Sequence, residues 1–375
     1  MIYLDYNATT PVAPEVAAAM QPYLGPEFGN PSCDYPLGLK ARDAMHQARR
    51  EVAELLNCAP DEIVFTSGAT EANNMVLKGV ACQRGQGRII TAATEHPAVL
   101  APCHFLASQG FKVEILPVDG RGLLDPEAVR RALTPDTILI SLMHANNETG
   151  ALAPLADIAA IARQAGVPLH TDAAQSVGKV KVDVIELGVD FLTVAGHKFY
   201  APKGVGALYI RRGRQLTPLL HGASQESGRR AGTENLPYIV ALGEACRLAR
   251  EGLSAAATHL CGLRDLLHEK LRAGFPGLLL NGPEAERLPN TLNVSFVGIA
   301  GCDLMAGVPE VAASLGSACH AGMEAVSPVL AAMGVAAAVA RGAVRFSVGR
   351  PTTREEIEQA VALLLKQARV LTGKS

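Results

Sequence analysis

Between residues 63 and 211 the chain alternates short apolar, β-branched runs with longer stretches of helical period. Ile63–Thr66 (IVFT), Arg88–Thr91 (RIIT), Val113–Val118 (VEILPV), Thr137–Met143 (TILISLM), Val167–Thr171 (VPLHT), Phe191–Val194 (FLTV) and Val205–Arg211 (VGALYIR) read as strands. Between them Glu71–Gln83, Pro97–Gln109, Asp125–Leu133 and Pro154–Gln164 read as helices. Asp125-Pro126-Glu127 supplies an N-cap, a proline at the first helical position and an acidic first turn. Gly110 and Gly166 stand just past helix ends, where a left-handed residue is wanted. The strands are apolar almost throughout rather than alternating, so both of their faces must be covered. That pattern predicts a mainly parallel sheet with helices on both faces.

After Lys198 the pattern changes. A polar, Arg- and Gly-rich loop from Gly222 to Glu234 leads into a helix from Leu236 to about Leu253 and a second from Thr258 to Ala273. Strand Thr291–Phe296, a helix, strand Ala343–Ser347 and a last helix Glu355–Val370 complete the chain, the last opened by a capping box of Thr352 and Glu355. This order predicts a second, smaller α+β domain.

Composition narrows the function. In 375 residues, 49% are hydrophobic and 19% charged, which is globular and long enough for a sizeable core. Net charge is −2, from 34 basic and 36 acidic residues, and no charge block has nucleic-acid-binding density. The eight cysteines, at 33, 58, 82, 103, 246, 261, 302 and 319, form no C-x-x-C pair. A zinc ribbon, a thioredoxin couple and an iron–sulfur run are therefore not indicated, and no metal site is expected. Asp5 interrupts the place where a signal peptide needs its apolar stretch, and the most apolar window, Val329–Ala340, is too short for a bilayer. The expectation is a cytoplasmic protein with reduced thiols, binding neither nucleic acid nor membrane.

Ligands of an open parallel sheet bind beyond the carboxyl ends of its strands, so the residues following each strand carry the information. After Ile63–Thr66, SGATEANN (67–74) opens a helix with hydroxyls and free backbone amides, which suits a phosphate and equally suits a plain N-cap turn. It matches neither nucleotide loop pattern. His96 stands at the next strand-to-helix junction, where a structural histidine is the bland alternative. HANNETG (144–150) is either turn chemistry or a polar site wall. Asp172, with Gln175 three residues on, ends a very apolar strand and needs a cationic or N–H partner, unless it caps the next helix. Lys198 lies between His197 and an aromatic pair in GHKFYAPKG (196–204), a setting for a Schiff-base lysine activated by desolvation. A phosphate cradle, a strand-end acid, a histidine able to stack and a downstream lysine together match what pyridoxal 5′-phosphate requires.

These motifs resemble the NifS/IscS-type cysteine desulfurases, within the class V aminotransferase-like enzymes. The matching stretches are YLDYNATTP (3–11), GNPS (29–32), FTSGATEANN (65–74), TEHPAV (94–99), HANNETG (144–150), HTDAAQSVGK (170–179), GHKFYAPKGVGALYIRR (196–212), RAGTEN (230–235), GSACHAG (316–322) and VRFSVGRPTT (344–353). The resemblance implies an aminotransferase-like α/β fold (fold type I), with residues 15–245 as a large cofactor-binding domain. Residues 1–14 and 246–375 would form the small domain. It implies that Lys198 forms the covalent link to the cofactor and then moves protons between substrate Cα and cofactor C4′. Asp172 would pair with the pyridinium nitrogen, Gln175 bond the phenolic oxygen, and His96 stack on the ring and handle the substrate thiol proton. Ala69, Thr70, His197 and, from a partner subunit, Thr233 would hold the phosphate. Asn147 and Arg345 would bind the substrate carboxylate. Cys319, among small residues, would be the nucleophile that takes sulfur from L-cysteine as a persulfide, leaving alanine. A homodimer and a sulfur-acceptor protein are implied, with iron–sulfur assembly, tRNA thiolation and DNA sulfur modification open as destinations.

The sequence departs from that family at three places. Ala195 stands where the family often has serine, Tyr35 is nearest to a usual histidine, and Cys319 is followed by His320. The first and last also look like selenocysteine lyases, the nearest alternative. An aminotransferase or β-lyase on the same scaffold, and a non-catalytic scaffold for sulfur transfer, are the remoter ones. The other seven cysteines match no functional position.

Overall fold

The computed structural model describes residues 1–315 and 326–373; Cys319 lies outside them. The apolar runs assemble into a seven-stranded sheet in the order Ile63–Thr66, Gly206–Ile210, Phe191–Ala195, Leu169–Asp172, Thr137–Ser141, Arg88–Ala92, Lys112–Leu116. Gly206–Ile210 is antiparallel to both neighbours, and every other pair is parallel. This is the mainly parallel sheet expected from the strand–helix alternation. Thr137–Ser141, Phe191–Ala195 and Gly206–Ile210 are buried at every position, because successive side chains enter opposite hydrophobic clusters. Val64, Ile89, Leu139 and Phe191 pack on one face with Met75 and Val99, while Phe65, Ile90, Ile140 and Leu192 pack on the other with Val52 and Ile158. The edge strand Lys112–Leu116 is only partly buried and carries Lys112 and Glu114, charges that discourage pairing with another chain.

A three-stranded antiparallel sheet, Ala343–Ser347, Thr291–Phe296 and Leu278–Leu280, has its own cluster with Leu263, Leu267, Ile357 and Leu364. Ile2–Tyr3 pairs in parallel with Val311–Ala312.

Two sequence readings need correction. The segment read as two helices is one helix of 39 residues, Leu236–Gly274. Nothing between Leu253 and Thr258 stops it: the intervening residues are serine and alanine, and Gly252 alone costs only about 1 kcal/mol. Its N-terminal half packs Leu242 and Cys246 into the cluster under the large sheet, and its C-terminal half packs Leu263 and Leu267 into the small-sheet cluster. The capping box of the last helix, Arg354–Thr372, is formed one residue later, by Thr353 and Glu356. Thr352 instead accepts a hydrogen bond from the Gly349 amide at 3.0 Å. The sequence reading also passed over the helix Pro36–Leu56, although Pro36 at its start and left-handed Asn57 at its end mark both boundaries.

Helices Pro36–Leu56 and Leu236–Gly274 meet backbone to backbone. A Cβ on Gly243 would lie 2.6 Å from Ala48 Cα and 2.7 Å from its Cβ. On helix propensity alone Gly243→Ala should stabilise by about 1 kcal/mol. The steric term has the opposite sign and is larger, so the expected outcome is a loss of roughly 1–3 kcal/mol. Guanidinium unfolding measures it, and an unchanged or raised midpoint would contradict the close contact.

Candidate active site

The carboxyl ends of the parallel strands open on a cavity of about 590 Å³. Ala69, Thr70, His96, Asn147, Asp172, Gln175, His197, Lys198 and Arg345 all line it, so nine residues singled out from the sequence meet in one place. Thr233 does not. It lines a smaller adjoining pocket of about 130 Å³ that shares Ser67, Gly204 and Val205 with the first.

Each side chain is placed by local structure. Strand Ile63–Thr66 delivers Ser67 and Gly68 to the start of helix Ala69–Arg84, whose first amides have no intrahelical partner. Gly68 has φ +147°, a region open in practice to glycine alone, and Gly206 on the next strand packs so closely that a Cβ there would sit 2.8 Å from Gly68 Cα. Glu71 accepts from the Ser67 amide at 2.8 Å and pairs with Arg230, also at 2.8 Å, which ties the turn to the loop carrying Thr233.

Asp172 ends its strand with both oxygens engaged. Oδ2 accepts from Asn73 Nδ2 at 2.7 Å and Oδ1 from the Ala174 amide at 2.9 Å. No helix begins here: the bond to Ala174 closes a turn rather than capping a helix, and the carboxylate also faces the cavity. His96 is the N-cap of helix Pro97–Ser108, its Nδ1 accepting from the Ala98 amide at 3.1 Å. Burial pushes its pKa down, Asp172 opposing and Lys198 assisting, so the ring is neutral with its proton on Nε2.

Lys198 occupies the turn after Phe191–Ala195 and donates to the carbonyls of Asn7 at 2.7 Å and Ala8 at 2.8 Å. Burial, with Arg345 adding to it and Asp172 and Asp5 opposing, lowers its amine to about 8. His197 bonds Thr9 Oγ1 through Nδ1 at 3.2 Å, and burial beside Lys198 and Lys203 lowers it to about 4. Arg345 arrives from the small sheet, bonded to Asp5 at 2.7 Å and to the Asn147 carbonyl at 3.0 Å. Among the described residues its buried Nε has no hydrogen-bond partner.

The flanks of the Cys319 segment are fixed. Ser314 exchanges two backbone hydrogen bonds with Arg345, at 3.1 and 2.8 Å, and Ser327 Oγ donates to Glu148 at 2.5 Å. Ala195 is buried in the cavity wall, whereas Tyr35 is 53% exposed as the N-cap of helix Pro36–Leu56 and does not line the cavity. Among the described residues no cluster of metal-ligating side chains occurs and no helix is long and apolar enough to cross a membrane.

Sequence reasoning missed Asp5, Asn7, Asn73 and Lys179. All four stand inside the motifs quoted for the resemblance, but their partners are distant in sequence: Asn7 Oδ1 accepts from Lys179, and Asp5 holds Arg345.

The aminotransferase class-V family model matches residues 2–360. A cysteine desulfurase IscS of Dictyoglomus turgidum is 45% identical over 368 residues, 97% of this chain and 93% of that protein. The mitochondrial cysteine desulfurase of Arabidopsis thaliana is 44% identical, covering 100% of this chain and 84% of that one. Among solved structures, a NifS-like protein superposes with a TM-score of 0.92 at 38% identity over 99% of both chains. SspA in complex with cysteine gives 0.84 at 39% identity, over 94% of this chain and 100% of that one. The sheet, the strand-end lysine and the family match define an enzyme of the class V aminotransferase type. Within that family the chain belongs to the cysteine desulfurases of the NifS/IscS kind.

The depressed Lys198 amine yields a direct test. Modification of the protein by an amine-reactive aldehyde, followed at Lys198 by peptide mass against pH, should rise through about pH 8 and level off above it. A rise centred near 10.4, the value of a solvated lysine, would contradict the site's electrostatics.

Proposed function

We propose that the protein is a pyridoxal 5′-phosphate-dependent cysteine desulfurase. In the overall reaction, L-cysteine and the Cys319 thiol give L-alanine and a Cys319 persulfide, so the sulfur and all hydrogens are accounted for. The observation that supports this most is the lowered amine of Lys198 in the same cavity as the doubly hydrogen-bonded carboxylate of Asp172. The donor set fits the cofactor. The amides opening helix Ala69–Arg84, with Thr70 and neutral His197, suit a phosphate, and Asp172 suits a pyridinium N–H. The Nε of buried Arg345, unpartnered among the described residues, fits a substrate carboxylate.

When bound, pyridoxal phosphate supplies an electron sink for bond breaking next to the amino acid's α-carbon. The rest falls to the chain. Lys198, with a pKa of about 8, is unprotonated in roughly a tenth of molecules at pH 7, against far less than a hundredth for a solvated lysine, and so can both attack a carbonyl carbon and carry a proton. Its two backbone acceptors, on Asn7 and Ala8, fix where that proton is held. Asp172 keeps its geometry because Asn73 and the Ala174 amide leave it little freedom. His96, with Nδ1 committed to Ala98 and its proton on Nε2, presents that Nε2–H for contact with the ring and as a donor to the substrate's sulfur. Arg345, oriented by Asp5, and Asn147 hold the substrate carboxylate. The thiolate of Cys319 then attacks the substrate sulfur, the Cβ–S bond breaks, and the carbon is reprotonated.

In this reading residues 15–245 form the cofactor-binding unit and residues 1–14 with 246–375 the smaller one. The protein is a homodimer in which Thr233 serves the neighbour's phosphate site, and a sulfur-acceptor protein removes the persulfide in a reducing cytoplasm. Selenocysteine is a second substrate to test, because buried Ala195 lines the cavity where the family often carries serine.

Incubation with pyridoxal phosphate and L-cysteine should add one sulfur atom to the peptide containing Cys319. Cys319→Ala should lower alanine formation from L-cysteine by about 10²-fold or more. A persulfide elsewhere, or none, would contradict the reading. Turnover of selenocysteine alone, untouched by Cys319→Ala, would favour the lyase.

A further inference from the structure

We propose that Lys179 is a positioning residue of this site, which fixes the carboxamides of Gln175 and Asn7 and thereby turns the Gln175 NH₂ group toward the cavity. Lys179 Nζ lies 2.8 Å from Gln175 Oε1 and 3.1 Å from Asn7 Oδ1. Its side chain is buried, 6% exposed, and no carboxylate pairs with it among the described residues. An ammonium has donors and no lone pair, so the atom of each carboxamide that faces it is the oxygen, and a neutral amine in the same place still has two N–H groups for those two oxygens. Shape alone does not distinguish the two ends of a carboxamide; Lys179 does.

The consequences reach the reacting residues. With Oε1 held, Gln175 Nε2 faces the other way and donates to the Asn7 carbonyl at 3.0 Å, the same carbonyl that accepts from Lys198. With Oδ1 held by Lys179 and by Asn290 Nδ2 at 3.0 Å, Asn7 sends Nδ2 to Thr291 Oγ1 at 2.8 Å and to the Asn147 carbonyl at 3.2 Å. Burial beside Lys198 and Arg345 holds the Lys179 ammonium well below the ordinary lysine range. A cation in such a place is costly where an apolar side chain of the same length would pack. Its orientation of two amides accounts for its presence.

The inference rests on the pyridoxal phosphate reading for its functional meaning, but it can be measured without the cofactor. In cofactor-free protein labelled with ¹⁵N-glutamine, the side-chain amide of Gln175, identified by its loss in Gln175→Ala, should exchange slowly. In Lys179→Met its exchange should be faster by about tenfold or more. Equal exchange in the two proteins would overturn the proposal.

In the loaded protein, Lys179→Met should move the pH midpoint of the cofactor's visible band upward by about one unit. It should move by less than about 0.3 unit when Gln175 is already alanine. Asp172, Lys198, His96, His197, Glu71, Lys203, Arg345 and Asp5, the other charged or titratable groups on or behind the cavity wall, are common to all these proteins. Equal shifts in both backgrounds would mean a charge effect and overturn positioning. Lys179→Gln, which keeps a donor without the charge, should leave both readouts close to wild type, and it carries the comparison if Lys179→Met does not fold. Lys179→Gln exchanging its Gln175 amide freely would overturn the proposal. A wild-type protein that develops no visible band with pyridoxal phosphate would fail the cofactor reading, while the exchange measurement would still decide this one.

Discussion

Three cationic side chains, Lys179, Lys198 and Arg345, converge behind and within one cavity against the carboxylates of Asp172 and Asp5. Burying cations in excess of anions is unfavourable, and the depressed pKa values of Lys179 and Lys198 express that cost. The protein tolerates it by donating the surplus N–H groups to neutral oxygens, chiefly Asn7 O, Asn7 Oδ1 and Gln175 Oε1. The arrangement favours ligands that bring negative charge, and a phosphate with a carboxylate supplies it. A folded state that stores unfavourable charge for a ligand to relieve is what a functional site looks like energetically.

The strand of chain from Leu4 to Ala13 holds this balance together. Ser347 N donates to the Leu4 carbonyl and Asn7 N to Ser347 Oγ, which anchors the segment on the small sheet. Thr10 N donates to the His197 carbonyl and Ala13 N to Tyr200, which anchors it on the turn that carries Lys198. Asn7 sits between the anchors and receives Lys198, Lys179 and Gln175. Placement of the reactive lysine thus depends on hydrogen bonds from both sheets, and Arg345 reaches the cavity through the same junction.

What the sequence disclosed follows from how local each determinant is. Strands with both faces covered are apolar throughout, so the parallel sheet could be read directly, and the rule that ligands gather at strand carboxyl ends then led to Asp172, His96 and Lys198. Thr353 displaced Thr352 as the cap because the two threonines are equivalent in pattern and only the Gly349 turn separates them. The break placed inside the long helix was a weak propensity signal overridden by two clusters packing on its two halves. Lys179 and Asp5 were illegible for a different reason: Gln175 stands four residues before Lys179, but Asn7 lies 172 residues from Lys179 and Arg345 lies 340 from Asp5, and no pattern within a window supplies those partners. Thr233, chosen by resemblance alone, adjoins the cavity without lining it.

The central claim is that Lys198, among several nearby amines, is the group that the fold has tuned to react. Lys203 lines the same cavity and Lys179 stands just behind it. Borohydride reduction of the protein with pyridoxal phosphate, followed by peptide mapping, separates them. The account predicts a single pyridoxyl adduct on Lys198; an adduct on Lys179 or Lys203 with Lys198 unmodified would contradict it.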